Sequence, residues 1–176
     1  MFNKIHSYMV QNAASFLRTP ARFLPDFVQN KILLEALNTI FKEALAEGEF
    51  EFLESKCLKV EVKDLGLSWH ITCRQAQLVI AGAVAEPDAC FSGSLNDFVL
   101  IAGRKEDPDT LFFQRRLSIE GDTELGLEIK NMMDSVDLET FPVLIKYSLN
   151  QLSDFVYKGI QSERSNHKGT VNAYSH

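Results

Sequence analysis

The sequence has few of the residues that stabilise a small fold by covalent or metal cross-links. Only three of its 176 residues are cysteine, and Cys57, Cys73 and Cys90 lie 16 and 17 residues apart, without a Cys-x-x-Cys pair. Such an odd, dispersed set excludes a disulfide scaffold and favours a reducing compartment with packed thiols. His70 is the only histidine between residues 7 and 166, so the sequence predicts no metal site.

An excess of positive charge is also absent. Eighteen Lys and Arg stand against 24 Asp and Glu, which gives a net charge of −6. This field would repel phosphate, so we expect no nucleic-acid partner. Residues 47–137 hold eighteen acidic and nine basic residues, whereas both ends have a small positive excess. Basic ends on an acidic body are compatible with contact to an anionic membrane surface.

No stretch of the chain reaches the ~20 consecutive apolar residues that a membrane-spanning helix needs. The N-terminal apolar stretch is interrupted by Gln11 and Asn12 and is followed by no small-residue cleavage site, which makes a poor secretory signal. We therefore expect a cytoplasmic protein. With 45% hydrophobic residues, the chain can form one substantial core, and its thirteen Phe must be buried there or contact a ligand.

Common catalytic motifs are missing as well. The sequence contains no Gly-x-Gly-x-x-Gly, phosphate loop, Gly-x-Ser-x-Gly or His-Glu-x-x-His motif. Cys73 and His70 are three residues apart on a predicted strand, so their side chains point to opposite faces. We predict no catalytic residue, no metal and no cofactor, and keep an enzyme that uses Cys73 or His70 as an alternative.

Apolar residues spaced by three and four predict amphipathic helices at both ends of the chain. The first belongs to a segment of residues 1–25 that ends at two prolines, and a second helix is predicted over residues 25–47. The last covers residues 138–160, and we expect the polar residues 161–176 after it to be disordered. Residues 26–137 form the domain between the terminal segments.

Within that domain the periodicity changes to an alternation of apolar and polar residues, which predicts five short strands. Four of them, beginning near Leu58, Leu67, Gln77 and Ala89, suggest an antiparallel meander, and the fifth covers residues 116–120. Helices are predicted over residues 94–102 and after the capping residues Asp107 and Asp122. The predicted fold class is α+β, a five-stranded, mostly antiparallel sheet with helices over one face.

Residues 108–126, with the sequence PDTLFFQRRLSIEGDTELG, resemble the sterol carrier protein type 2 (lipid-transfer) domain. The strand and apolar helix of residues 88–102 fit the same family, and the resemblance extends over roughly residues 30–136. The runs AGRKEDPDTLFFQRR at 102–116 and FEFLE at 50–54 are similar to those family members that act as accessory factors in ubiquinone biosynthesis.

This resemblance implies a domain with a hydrophobic tunnel that holds a lipid. It further implies a non-catalytic role in oxygen-independent ubiquinone biosynthesis, in which the protein binds the isoprenoid tail of quinone intermediates. The ring would be presented to hydroxylation factors of the UbiU and UbiV kind, and the protein would associate peripherally with the inner membrane. The alternatives are a carrier of phospholipid or fatty acid, and a scaffold that recruits proteins and holds no lipid.

The family has no fixed polar binding motif, so the predicted lipid-binding residues are apolar helix positions: Phe98, Ile101, Phe112, Phe113, Leu125, Ile129, Met132 and Met133. Adjacent residues on a helix point about 100° apart, so the two members of the Phe112–Phe113 and Met132–Met133 pairs cannot easily face the same narrow core. One member of each pair needs a second apolar environment, such as a cavity. The predicted membrane contacts are Phe16, Arg18, Arg22, Phe23, Lys146 and Tyr147. Docking of these terminal helices on the domain, or on a second subunit in a homodimer, is the alternative.

Overall fold

A computed structural model describes Tyr8, Val10 and residues 25–82, 86–135 and 143–171. These residues form six α-helices, a 3₁₀ helix and five strands. In chain order the elements are α1 (Asp26–Ile40), α2 (Lys42–Ala46), the 3₁₀ helix (Glu51–Leu53), β1 (Leu58–Val62), β2 (Leu67–Arg74), β3 (Gln77–Ile80), β4 (Ala89–Gly93), α3 (Leu95–Ala102), α4 (Pro108–Phe113), β5 (Ser118–Gly121), α5 (Thr123–Ser135) and α6 (Val143–Val171). Tyr8 and Val10 are also helical.

The strands form one sheet in the order β3-β2-β1-β4-β5. Strands β1 and β4 are parallel, and the other three pairs are antiparallel, so the predicted α+β class and mostly antiparallel sheet are confirmed. The predicted four-stranded meander is wrong, because β4 lies beside β1 rather than beside β3.

A short link permits this crossing of the sheet. The last residue of β3, Ile80, pairs with Ile71, which pairs with Leu58, and Leu58 in turn pairs with Ala89 at the start of β4. The chain therefore leaves β3 at the level where β4 begins and has only to cross the strand ends. Three strand spacings are ~14 Å, and an extended link of eight residues reaches ~26 Å.

The two faces of the sheet differ in polarity. In β1, Leu58, Val60 and Val62 point to one face, while Lys59 and Glu61 point to the other. The apolar face forms the core with the helices. Its buried members come from β1 to β4, from α2, α3, α4, α5 and the 3₁₀ helix, and from two positions between elements. They are Leu45, Phe50, Leu53, Leu58, Ile71, Cys73, Leu78, Ala89, Phe91, Ile101, Leu111, Leu117, Leu125, Ile129 and Met132.

Helix α1 is held against the sheet edge by one polar side chain. The Asn38 Nδ2 group donates to the Leu78 carbonyl oxygen at 3.4 Å, and the Leu78 N–H donates to Asn38 Oδ1 at 3.3 Å. These bonds pair backbone groups that an edge strand leaves open. The single helix predicted over residues 25–47 is divided at Phe41, whose ring packs edge-to-face on Phe50 at 5.1 Å. Helix α2 follows and buries Leu45 in the core.

The C-terminal helix packs on α3 through small residues. Ser153 is fully buried, and a Cβ at Gly103 would lie 2.2 Å from its Oγ. On the same helix Gly159 lies against Val10, which forms a second apolar cluster with Leu100 and Val156. Segments near both termini therefore contact α3 or α6.

The expected disordered tail is corrected as far as Val171, because α6 continues there from Val143 without interruption. Residues 161–168 contain no proline or glycine that would end a helix. The prediction of disorder rested on their lack of apolar residues, and that composition does not by itself prevent a helical backbone.

At the start of α5, Asp122 connects a helix cap with an ion pair. Its Oδ1 accepts hydrogen bonds from the N–H groups of Glu124 at 2.9 Å and Leu125 at 3.1 Å, which confirms the predicted cap. Its Oδ2 lies 2.9 Å from Lys56 Nζ. The hydrogen bond from Lys56, followed by that from the Leu125 N–H, lowers the pKa of Asp122, and the same contact raises the pKa of Lys56.

We expect Asp122→Asn to alter the acid side of the pH–stability profile. A carboxylate whose pKa falls on folding stabilises the fold above its unfolded pKa of about 3.9 and loses this contribution as the pH falls through the folded value. The difference in unfolding free energy between wild type and variant should be constant near neutral pH and shrink below about pH 4. Urea unfolding at several pH values measures it, and a difference unchanged at low pH would contradict the pairing.

Candidate functional site

An apolar cavity of about 390 Å³ lies between the helices and the apolar face of the sheet. Its helical walls come from α1, α3 and α5, and its floor comes from β1 to β4. Among its lining residues are Leu33, Leu37, Ile40, Phe41, Phe50, Phe52, Val60, Trp69, Phe91, Leu95, Phe98, Ile101, Ile129, Met132 and Met133. The wall thus suits a hydrocarbon ligand. It is a cavity that the structure shows, and a tunnel through the domain stays a prediction.

The cavity exists because two helices pack near opposite edges of the sheet. Helix α1 contacts β3, and α5 contacts β4 and β5. The apolar side chains of β1 and β2 therefore face the space between these helices. Val60 and Trp69, which are paired across β1 and β2, are only half-buried although they belong to inner strands.

The structure brings five of the eight predicted lipid-binding residues into the cavity wall: Phe98, Ile101, Ile129, Met132 and Met133. The other three do not line it. Leu125 is fully buried in the core, Phe112 packs with its ring centroid 6.1 Å from that of Phe91, and Phe113 is 89% exposed. The two adjacent Phe side chains point in different directions on α4, as the helical angle requires, and the cavity uses neither.

Sequence reasoning missed the contribution of α1 and of the sheet. Leu33, Leu37 and Ile40 face the cavity, while Leu34 packs on the core and Asn38 binds β3. Leu33 and Leu37 also pack against the core, so one apolar stripe of this helix serves both the core and the cavity. The apolar periodicity of the helix was the available signal, and it does not distinguish a cavity from a core because both require apolar side chains.

The cavity wall reaches the protein surface beside the C-terminal end of α3. Of the described lining residues, only Ala102 and Arg104 are exposed, and the others are buried or half-buried. Arg104 is also the one charged residue among them. Its Nη2 group donates to the Asp134 carbonyl oxygen at 2.8 Å, so the side chain extends from the end of α3 to the end of α5.

Two of the predicted membrane contacts are described by the structure. Lys146 is half-buried and Tyr147 is exposed near the start of α6, where Val143 is exposed one turn earlier. Phe16, Arg18, Arg22 and Phe23 lie outside the described residues. Within the part of the chain that the structure describes, no helix combines the length and apolar character needed to cross a bilayer.

The cysteines are poor candidates for nucleophiles. Burial raises the pKa of Cys57, Cys73 and Cys90, so they are protonated thiols near neutral pH. Cys73 belongs to the buried core, whereas His70 pairs with Lys59 on the polar face. Among the described residues no group of three His, Cys, Asp or Glu side chains could hold a metal ion.

Comparison of the sequence with known families identifies the class of protein to which this fold and cavity belong. Residues 34–134 match the SCP-2 sterol transfer family, and the chain belongs to this family. It is also 43% identical over 162 residues to the ubiquinone biosynthesis accessory factor UbiT of Escherichia coli (strain K12), with 92% of each chain covered. The UbiT sequence of E. coli O157:H7 matches with the same identity and coverage.

A solved structure supports the fold. The chain is similar to a protein described as "UbiJ-SCP2 Ubiquinone synthesis protein", with a TM-score of 0.50 and 18% sequence identity. The match covers 61% of this chain and 94% of that one. At this identity the similarity concerns the fold alone.

Proposed function

We propose that this protein is a non-catalytic accessory factor in ubiquinone biosynthesis that holds the isoprenoid tail of quinone intermediates. The observation that carries the proposal is the cavity of about 390 Å³, whose described wall has one charged residue, Arg104, and that residue lies where the wall reaches the surface. The 43% identity to UbiT over 92% of both chains supports the assignment to this pathway.

A quinone intermediate needs such a protein because of its tail. Apolar surface costs about 25 cal/mol per Å² in water, so a long isoprenoid chain leaves a membrane only if another apolar surface receives it. The cavity volume lies within the ~300–1,000 Å³ typical of ligand pockets. The raised pKa values of the three thiols and the separation of Cys73 from His70 support a role without catalysis.

The proposed carrier works in the cytoplasm and loads at the inner-membrane surface. The exposed side chains of Val143 and Tyr147 lie one helical turn apart on α6, beside Lys146, and support contact between this end of the helix and an anionic membrane. Arg18 and Phe23 in the N-terminal segment are further proposed contacts. With the tail in the cavity, the ring would face hydroxylation factors of the UbiU and UbiV kind.

Ligand identification tests the proposal. We expect protein purified from cells grown without oxygen to show a bound mass in native mass spectrometry, and organic extraction to release an isoprenoid quinone precursor. Phospholipid or fatty acid as the only extracted ligand would favour the alternative carrier. A cavity that stays empty even after incubation with membranes would contradict lipid carriage and favour a protein scaffold.

Quinone content in cells tests the pathway separately. We expect the chain to restore ubiquinone synthesis without oxygen in E. coli that lacks UbiT. Because the proposal requires no thiol or imidazole chemistry, Cys73→Ala and His70→Ala variants should restore it equally well. Loss of synthesis in either variant, at unchanged protein level, would contradict the non-catalytic role.

A further inference from the structure

Arg104 differs from every other described residue of the cavity wall. It alone carries a charge, and with Ala102 it forms the part of the wall that is exposed to solvent. An amphiphile that placed its chain against Phe98, Ile101 and Met133 would bring its head to this part of the surface.

The backbone at Arg104 would suit glycine better. After α3, the Arg104 N–H donates to the Ile101 carbonyl and the Lys105 N–H donates to the Leu100 carbonyl, both at 2.9 Å. This arrangement is a Schellman motif, in which the residue after the cap adopts a positive φ and is usually glycine. Arg104 has φ +53°, a conformation that costs a side-chain-bearing residue about 1 kcal/mol.

The same conformation occurs at Arg115, which has φ +59° after α4. Arg115 does not line the cavity. Backbone conformation therefore does not distinguish the two arginines, and only their places in the fold do. This pair provides a matched control for any role of Arg104 at the cavity.

The guanidinium of Arg104 is held at the exposed part of the cavity wall. Its hydrogen bond to the Asp134 carbonyl ties it to the C-terminal end of α5, where a positive charge is favoured by the helix dipole. Neighbouring Lys105 is directed elsewhere, because its Nζ pairs with Asp154 Oδ1 at 2.7 Å. The planar guanidinium fork matches the geometry of carboxylate and phosphate oxygens.

We propose that Arg104 is the head-group recognition residue of the cavity and selects amphiphiles whose head carries an oxyanion, a carboxylate or a phosphate. The inference rests on the proposed lipid-binding function, because the chain of the same molecule would occupy the cavity. It adds a polar criterion to a site whose remaining described wall can recognise only hydrocarbon.

The test compares probes that share one chain and differ in the head. Palmitate, hexadecyl phosphate and hexadecanol are titrated at low ionic strength, and the fluorescence of Trp69, the single tryptophan, reports occupancy because its side chain lines the cavity. We expect wild type to bind the two anionic probes about tenfold more tightly than the alcohol. Acetate and inorganic phosphate should compete weakly, because they lack the chain.

The Arg104→Gln variant should bind all three probes equally, with the affinity that the wild-type protein has for hexadecanol. Arg104→Gly removes the same guanidinium and suits the backbone, so the same result in this variant cannot be due to misfolding. Arg104→Lys should recover part of the preference, since it keeps the charge and loses the fork. Arg115→Gln and Arg115→Gly should retain the full preference.

The possible results separate this inference from the proposed function. An anion preference that survives in both Arg104→Gln and Arg104→Gly, or a wild type that binds palmitate and hexadecanol equally, would overturn the role of Arg104 and leave lipid binding intact. A wild type that binds none of the three probes would overturn lipid binding itself. Competition by inorganic phosphate as strong as by hexadecyl phosphate would show a free-anion site instead.

Discussion

Val60→Asp should weaken lipid binding by at least about 100-fold while the protein stays folded. Val60 lies in the middle of β1, where backbone pairing with Trp69 and Phe91 holds it on both sides, and its side chain faces the cavity. An aspartate of similar volume can be hydrated in the empty cavity. A hydrocarbon chain would displace that water, and an unpaired buried carboxylate costs several kcal/mol, of which ~2.7 kcal/mol already corresponds to 100-fold.

The matched control is Val79→Asp, the same substitution on the other face of the sheet. Val79 pairs with Thr72 and is half-buried, as Val60 is, but it does not line the cavity. Native mass spectrometry after organic extraction gives lipid occupancy, and circular dichroism gives folding. Val60→Asp protein that carries as much lipid as the Val79→Asp control would contradict the assignment of the cavity as the lipid site.

Features governed by neighbours in sequence could be predicted. The alternation of Leu58, Val60 and Val62 with charged residues located β1, because one buried face imposes a period of two. Asp107 was predicted to start a helix, and it accepts a hydrogen bond from the Thr110 N–H at 2.9 Å. Strand alternation and helix capping depend on a few adjacent residues, so the sequence contains what is needed.

Features governed by distant contacts could not be predicted in the same way. The pairing of β4 with β1 depends on β3 ending at the same height in the sheet as Ala89, where β4 begins. The sequence of residues 81–88 contains no pattern that indicates this height. The cavity has the same limitation. Leu125 and Ile129 lie one turn apart on α5, yet only Ile129 lines the cavity and Leu125 is fully buried. Periodicity shows that a side chain points inward, and the packing of α1 and α5 decides whether a space lies there.

Arg116→Leu should lower the unfolding free energy by about 3–5 kcal/mol, because it would leave a buried charge without its partner. Asp97 is 4% exposed and its Oδ2 accepts a hydrogen bond from the Ser94 hydroxyl at 2.6 Å within the capping box of α3. Its Oδ1 is paired with the Arg116 guanidinium, whose side chain is 23% exposed. At about 2–4 °C per kcal/mol for a chain of this size, Tm should fall by roughly 6–20 °C.

The double variant Asp97→Asn/Arg116→Leu distinguishes the stranded charge from the loss of an attractive pair. Removing both charges eliminates the penalty, so much of the lost stability should return, whereas a strongly attractive pair would leave the double variant as unstable as the single one. As a control, Lys31→Met breaks the exposed ion pair between Lys31 and Glu35, whose two side chains are 74% and 70% exposed. It should change the free energy of unfolding by less than about 1 kcal/mol.

Because Asp97 fixes the first turn of α3, which places Phe98 in the cavity wall, the Arg116→Leu variant should also lose bound lipid at temperatures below its Tm. Retention of both stability and lipid would show that α3 is held by its contacts with α6 instead.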